Sequence, residues 1–462
     1  MKSNPRSSRS AVSPARAAAF DILLRVERES SYASELLHSR TYDRLSLADH
    51  SLATELVMGV VRWRSLLDDQ IANSSSQPLP KLDFEVLTAL RLALYQTHWL
   101  DRIPARAAIH ESVELVKRAR KRSAAPFVNA VLRKLATGAA SEHQSFQDAI
   151  CHASADALAA SSAHPQWLVE RWIQAYGLET TRRICQHNQS VPVTSIRLRR
   201  PGAEDRLHDE KIELAPGALL ASARRVQHGE ITRTAAYRDN SFVIQDEASQ
   251  LVAALVGEGA EILDCCAAPG GKTLAIADRD SKTKIAAVEL HPHRARLLRK
   301  LLSVHDSGAT SAARIRVVAA DARSLPFLRN FDRVLADVPC SGTGTLSRNP
   351  EIKWRLKRED LDELQARQLA ILHSAMGHVT TRGRLIYSTC SLEKEENEEV
   401  IEHAMAQNSS FRVIECRGEL EKLRQEGDLV WPDVDSLVRG PYLRTLPGVH
   451  PCDGFFAAIL EK

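Results

Sequence analysis

The chain has 462 residues, with 62 Lys and Arg against 58 Asp and Glu, a formal charge of +4. That length calls for two or three domains, and so small a net charge leaves any nucleic-acid binding to be read from where the charges sit. No apolar run is long enough to span a bilayer, and the eight cysteines form no CxxC pair and no disulfide framework, so neither a membrane segment nor a metal site is expected and a reducing cytoplasm is.

Residues 1–15, MKSNPRSSRSAVSPA, are basic and Ser-rich without the apolar core of a secretory signal, and read as a flexible basic arm. Residues 16–138 carry apolar stripes at helical spacing. In KLDFEVLTALRLALYQTHWL, the residues Val86, Leu90, Ala93, Leu94 and Thr97 recur on one face, and Pro78, Pro80, Pro104 and Pro126 punctuate the series. An all-helical domain is predicted. Lys117, Arg118, Arg120, Lys121 and Arg122 form a basic cluster in a helix connection, where a phosphate backbone can reach it.

Residues 139–163 read as a connector with some helix, rich in Ala, Ser, Gln and His. Residues 164–240 read as a small α+β segment. It opens with a helix at His164-Pro165-Gln166-Trp167 and contains VTSIRLRR, in which Ile196 and Leu198 alternate with Arg197 and Arg199. That pattern predicts a half-buried strand with a cationic outer face, suited to a nucleic-acid backbone.

From residue 241 to 462 strands alternate with helices. Strands are predicted at 260–266, 284–290, 314–321, 331–337 and 384–389, and their short apolar character implies a parallel sheet covered on both faces. The loop AAPGGKT resembles a phosphate-binding loop, but its first glycine would fall on Cys266, so an ATPase reading loses its main support. Gly270 and Gly271 instead let the backbone approach a small cofactor, whose carboxylate suits the start of the following helix. Glu289, Asp321 and Asp337 close three successive strands; Glu289 suits ribose hydroxyls and Asp321 an adenine amino group. A nucleoside cofactor without pyrophosphate, S-adenosylmethionine, fits these groups best. In FDRVLADVPCSGTGT and GRLIYSTCSL, Cys340 and Cys390 end strands expected to be neighbours about 4.8 Å apart, so both thiols are expected to face one pocket.

The blocks DCCAAPGGKT, ADVPCSGTGT, NPEIKWR and YSTCSLEKEENE resemble the RNA cytosine-5 methyltransferases. RIPARAAIHESVELVKRA and FVNAVLRKL resemble the NusB-type RNA-binding domain of one branch, the small-subunit ribosomal RNA methyltransferase B group; HPQWLVERW, FVIQDEASQLV and LPGVHPCDGFFAAIL lie where that branch has them. The likeness covers nearly everything after the first fifteen residues. It implies an all-α NusB-like domain, a small α+β segment and a Rossmann-like class I methyltransferase domain. It implies a monomer that methylates carbon 5 of a cytosine in small-subunit rRNA. By motif position Cys390 is the attacking thiol and Cys340 serves release of the adduct. Cys266, Ala267, Ala268, Pro269, Gly270, Gly271, Lys272, Glu289, Asp321 and Asp337 contact S-adenosylmethionine, with Lys272 and Asp337 also orienting the base. The target base has to leave its stack. Cys452 stands where the group has a small residue. Two other readings stay open at this point: a tRNA cytosine-5 methyltransferase, which the NusB-like front end disfavours, and a non-catalytic assembly factor, which failure to bind S-adenosylmethionine would favour.

Overall fold

The computed structural model describes residues 12–29, 31–138, 154–305 and 314–462. Most of the basic arm, residues 139–153 of the connector and Cys151 lie outside the described residues. The chain divides into two compact units, Met1–Val191 with Leu346–Arg355, and Pro192–Thr345 with Leu356–Lys462.

The first unit is helical. Helices α1 (Pro14–Glu29), α2 (Ala33–Leu37), α3 (Leu47–Arg62), α4 (Arg64–Ser74), α5 (Phe84–Trp99), α6 (Ala105–Arg118) and α7 (Ala125–Gly138) build one apolar core. Helix α1 begins at Pro14, inside the stretch expected as a free arm; Pro suits a helix start because its missing N–H would have no partner there. The stripe read on α5 understates its burial. Residues Val86–Gln96 are buried on every side, because α1, α3, α4, α6 and α7 all pack on this helix. Arg91 of α5 carries a charge into that interior, where it forks onto both oxygens of Asp68 at 2.7 Å and reaches Glu27 at 3.1 Å.

Three members of the basic cluster carry acidic partners: Lys117 on Glu114 (2.6 Å), Arg118 on Asp21 (2.7 Å) and Lys121 on Asp83 (3.0 Å). The cluster is therefore less cationic than its sequence suggests. Helices Ala155–Ser161, Gln166–Tyr176 and Leu178–Gln189 also group with this unit.

The decapeptide Leu346–Arg355, quoted above for its NPEIKWR block, belongs to the helical unit as well. Its side chains close open helix ends. Lys353 donates to the carbonyl of Arg62 (2.9 Å), Trp354 Nε1 to that of Val61 (2.7 Å), and Arg355 to those of Val26 and Ser31 (2.8 and 2.7 Å). The Arg62 and Val61 carbonyls lie in the last turn of α3, that of Val26 in the last turn of α1 and that of Ser31 just beyond it. Burial drives the Lys353 ammonium well below its usual pKa.

The second unit holds two sheets. Strands β1 (Ser195–Leu198), β2 (Glu213–Pro216), β3 (Ala223–His228) and β4 (Phe242–Ile244) form an antiparallel sheet in the order β2-β3-β1-β4. The outer face expected on β1 is not free for RNA. Arg197 and Arg199 both bind the Asp278 carboxylate at 2.7 Å, and Arg197 is buried, so two cations are spent on one internal anion.

The larger sheet contains β5 (Glu261–Asp264), β6 (Lys284–Glu289), β7 (Ile315–Ala319), β8 (Phe331–Asp337), β9 (Val379–Thr389), β10 (Arg412–Ile414), β11 (Val438–Arg439), β12 (Tyr442–Thr445) and β13 (Phe455–Glu461). Its order is β11-β12-β13-β9-β8-β5-β6-β7, with β10 on β13. The five expected strands pair in parallel, but the sheet is mixed: β13 runs antiparallel to β9 and brings the C-terminal FFAAIL run into the interior. Side chains alternate between faces as a pleat requires. Ile262, Leu335, Ile386 and Ala457 pack on helices Glu247–Leu255 and Gly271–Arg279, whereas Leu263, Val334, Tyr387 and Phe456 pack on Asp360–Met376 and Glu398–Gln407. Strand β5 lies between β6 and β8, so the chain reverses direction across the sheet there. The crevice at the carboxyl end of such a strand is where open α/β sheets bind ligands. Among the described residues no helix is long and apolar enough to cross a membrane.

Candidate active site

Four strands deliver polar groups to that crevice. Strand β5 ends in Asp264 and runs into the loop Cys265–Gly270. Ala267 N donates to the Val288 carbonyl (2.8 Å), which holds the loop beside the end of β6 and Glu289. Gly270 has φ +109°, a conformation that L side chains resist, and a Cβ there would come within 2.8 Å of Leu298. At Gly271 a Cβ would meet only the Gln245 side chain, at 3.5 Å, so the backbone stays approachable on that side. Cys266 and Ala268 are half-buried, Ala267 is buried and Pro269 is exposed.

Lys272, in the first turn of the following helix, donates to Asp337 at 2.8 Å. Burial opposes the Lys272 charge, but Asp337, with Cys390 and Asp264 beyond it, outweighs burial and holds the ammonium above its usual pKa. Ser388 donates to the other oxygen of Asp337 at 2.7 Å. Thr273 donates to Asp264 at 2.7 Å. Asp264, inside the strand predicted at 260–266, ends β5 in the structure; burial raises its carboxyl to about 6 against Thr273's donation, and Asp337 adds to the rise.

The structure brings Lys272 and Asp337 into contact and sets Glu289 beside the loop. Glu289 is buried and accepts from His291 N at 2.8 Å. Asp321 stands apart from the strand it was expected to close, since β7 ends at Ala319. Its carboxylate caps the turn at Ala322–Ser324 and pairs with Arg323, and these contacts hold it below the usual carboxylate range.

The two cysteines meet. Strands β8 and β9 are parallel neighbours with Asp337 opposite Ser388, and the Sγ atoms of Cys340 and Cys390 lie 3.3 Å apart. Val338 N donates to the Ser388 carbonyl (3.0 Å) and Gly344 N to the Cys390 carbonyl (2.8 Å), so both sides of the Cys340 loop are fastened to β9 and its extension. The hydrogen bond to Cys390, then burial and the negative charges of Cys390 and Glu396, push the Cys340 thiol well above its usual pKa. The HPCDGFF block also reaches this loop: Gly454 N donates to the Gly344 carbonyl at 2.8 Å, and Cys452 is buried. All seven cysteines among the described residues are free thiols. A paired thiol beside a half-buried Lys–Asp pair can supply a nucleophile and a proton carrier to one substrate atom.

Comparison with known proteins adds the family. Over 453 residues the chain is 33% identical to a Bacillus subtilis protein named probable ribosomal RNA small subunit methyltransferase B, covering 96% of this chain and 98% of that protein. The chain belongs to the small-subunit ribosomal RNA methyltransferase B family. Ribosomal RNA small subunit methyltransferase B of Pseudomonas syringae is 30% identical, with 91% of each chain covered. Residues 253–461 match the family described as 16S rRNA methyltransferase RsmB/F, residues 13–137 the NusB family, and residues 164–229 the ferredoxin-like domain of RsmF/B-like methyltransferases. The fold is that of the crystal structure of PH0851, with a TM-score of 0.77 and 22% identity over 97% of this chain and 98% of that one. This methyltransferase family thus has a NusB-type helical domain, a small ferredoxin-like domain and a Rossmann-like domain with a mixed sheet in this chain.

Proposed function

We propose that this methyltransferase modifies carbon 5 of a cytosine in 16S rRNA through a covalent bond between Cys390 and the base. The observation that carries the reading is the 3.3 Å approach of Cys340 and Cys390 beside the Lys272–Asp337 pair. Carbon 5 of cytosine is a poor nucleophile. Addition of the Cys390 thiolate to carbon 6 makes it enamine-like. After methylation the carbon 5 proton leaves to a base and the Cys390 sulfur is expelled with its bonding electrons. Cys340, against that sulfur, serves the release step. Lys272 and Asp337 orient the cytosine.

The donor set suits S-adenosylmethionine. Open N–H groups at the start of the helix after Gly270 suit a carboxylate, Glu289 suits ribose hydroxyls, and Asp321 suits an adenine amino group if Arg323 yields it. Cys266, Ala267, Ala268, Pro269, Gly271 and Lys272 complete the wall. When bound, S-adenosylmethionine supplies an electrophilic methyl group. RNA contact is assigned to residues 16–138 and 164–240, chemistry to residues 241–462, and the whole acts as a cytoplasmic monomer. The names of the relatives support the rRNA substrate.

Bisulfite sequencing of 16S rRNA from strains with and without the gene tests this reading. A single protected cytosine lost on deletion is expected. An unchanged rRNA pattern with a protected tRNA cytosine lost instead overturns the substrate.

A further inference from the structure

Glu396, from the turn after β9, is fully buried and takes no part in the reaction as set out above. Its carboxylate accepts four hydrogen bonds. Oε1 takes Ser341 N and Gln368 Nε2, both at 2.8 Å, and Oε2 takes the hydroxyls of Ser341 and Ser391. Ser341 follows Cys340 and Ser391 follows Cys390, and the two hydroxyls are 3.0 Å from each other. Gln368 also donates to the Pro339 carbonyl (3.0 Å), and Tyr387 Oη donates to the Glu396 carbonyl (2.6 Å). One carboxylate therefore ties together the residues that follow both sulfurs.

The charges around the sulfur pair are arranged unequally. Two of the four bonds to the Glu396 carboxylate come from Ser341, next to Cys340, and a third comes from Gln368, which also holds Pro339; one comes from Ser391, next to Cys390. The other titratable groups nearby are Tyr387 from β9, Asp337 at the end of β8 and Cys266 in the glycine loop. An S–H···S pair at 3.3 Å shares its first ionisation, and the flanking charges decide which sulfur keeps the proton.

We propose that Glu396 is the positioning residue that divides the work between the two cysteines: it clamps both loops and sets its negative charge on the Cys340 side, which leaves Cys340 the less reactive of the two sulfurs. The naming of Cys390 as attacking thiol rests on the proposed function; the charge asymmetry does not.

Full-length E396Q tests it. Oε1 remains to accept the two N–H donors, and the new amide can donate to two serine hydroxyls free to rotate. The variant thus removes the charge and keeps the clamp. Alkylation by iodoacetamide at neutral pH, read cysteine by cysteine by peptide mass spectrometry, should label Cys390 before Cys340 in the wild type. In E396Q the Cys340 rate should rise by on the order of tenfold, the effect of a nearby buried charge on an ionisation. E396D, which keeps the charge, should stay on the wild-type side. A wild-type labelling ratio in E396Q overturns the proposal. Should E396Q fail to fold by circular dichroism, the wild-type order decides, and earlier labelling of Cys340 overturns it. The readout uses neither RNA nor cofactor, so a wild type that does not methylate 16S rRNA defeats the proposed function and leaves this result standing.

Discussion

Cys340 and Cys390 are fifty positions apart in sequence, yet their sulfurs lie 3.3 Å apart. That separation is a consequence of parallel pairing between β8 and β9, which carry the two residues past equivalent strand ends.

Such a pair should oxidise readily. Diamide treatment of the native protein should form a Cys340–Cys390 disulfide, the two electrons and two protons passing to the oxidant. Titration should then find two fewer free thiols, restored by dithiothreitol. Loss of thiols in C390A to the same extent as in the wild type would show that other cysteines are responsible.

Gly344→Ala tests how closely the loops pack. An added Cβ would lie 2.1 Å from the Gly454 carbonyl oxygen and 2.8 Å from that of Cys390, both backbone atoms that cannot swing aside. The expected cost is about 1–3 kcal/mol or more of stability, as for other overpacked interiors, with loss of methyl transfer. Urea unfolding and a methylation assay measure both, and a wild-type midpoint would show that the loops move apart easily.

Asp264 supplies a pH prediction. Its folded carboxyl, raised to about 6, binds a proton that the unfolded chain has released, so its contribution falls as pH rises from about 4 to 6. Replacing it by Asn keeps an acceptor for Thr273 and removes the ionisation. From pH 4 to 7 the stability of D264N relative to wild type should therefore rise by on the order of 3 kcal/mol. Urea midpoints at the two ends of that range measure the change, and parallel curves would contradict it.

The sequence was most informative where chemistry and periodicity coincide. Strand β8 was read with its observed limits because a buried parallel strand is a continuous apolar run bounded by polar residues. The C-terminal FFAAILE run has the same character, but nothing local says that it inserts antiparallel beside β9. Charges were harder. Arg197 and Arg199 alternate like a solvent-facing row, yet Asp278, 81 and 79 positions on, takes them both. Glu396 sits within the acidic run EKEENE, and only the fold separates it from the half-buried Glu395 and Glu398 by turning it under the two serines. Asp264 carried a weaker signal, because the apolar residues Cys265 and Cys266 extend the predicted strand past it, whereas β5 ends at Asp264. Leu346–Arg355 had none: its place in the helical unit follows from long-range bonds to α1 and α3.

The sharpest test of the two-thiol account is to incubate C340A with 16S rRNA and S-adenosylmethionine and to map any protein–RNA conjugate by mass spectrometry. The account predicts a stable conjugate through the peptide containing Cys390, absent from C390A and from the C340A C390A double variant. A conjugate through Cys340 that accumulates in C390A, with C340A forming none, would contradict it.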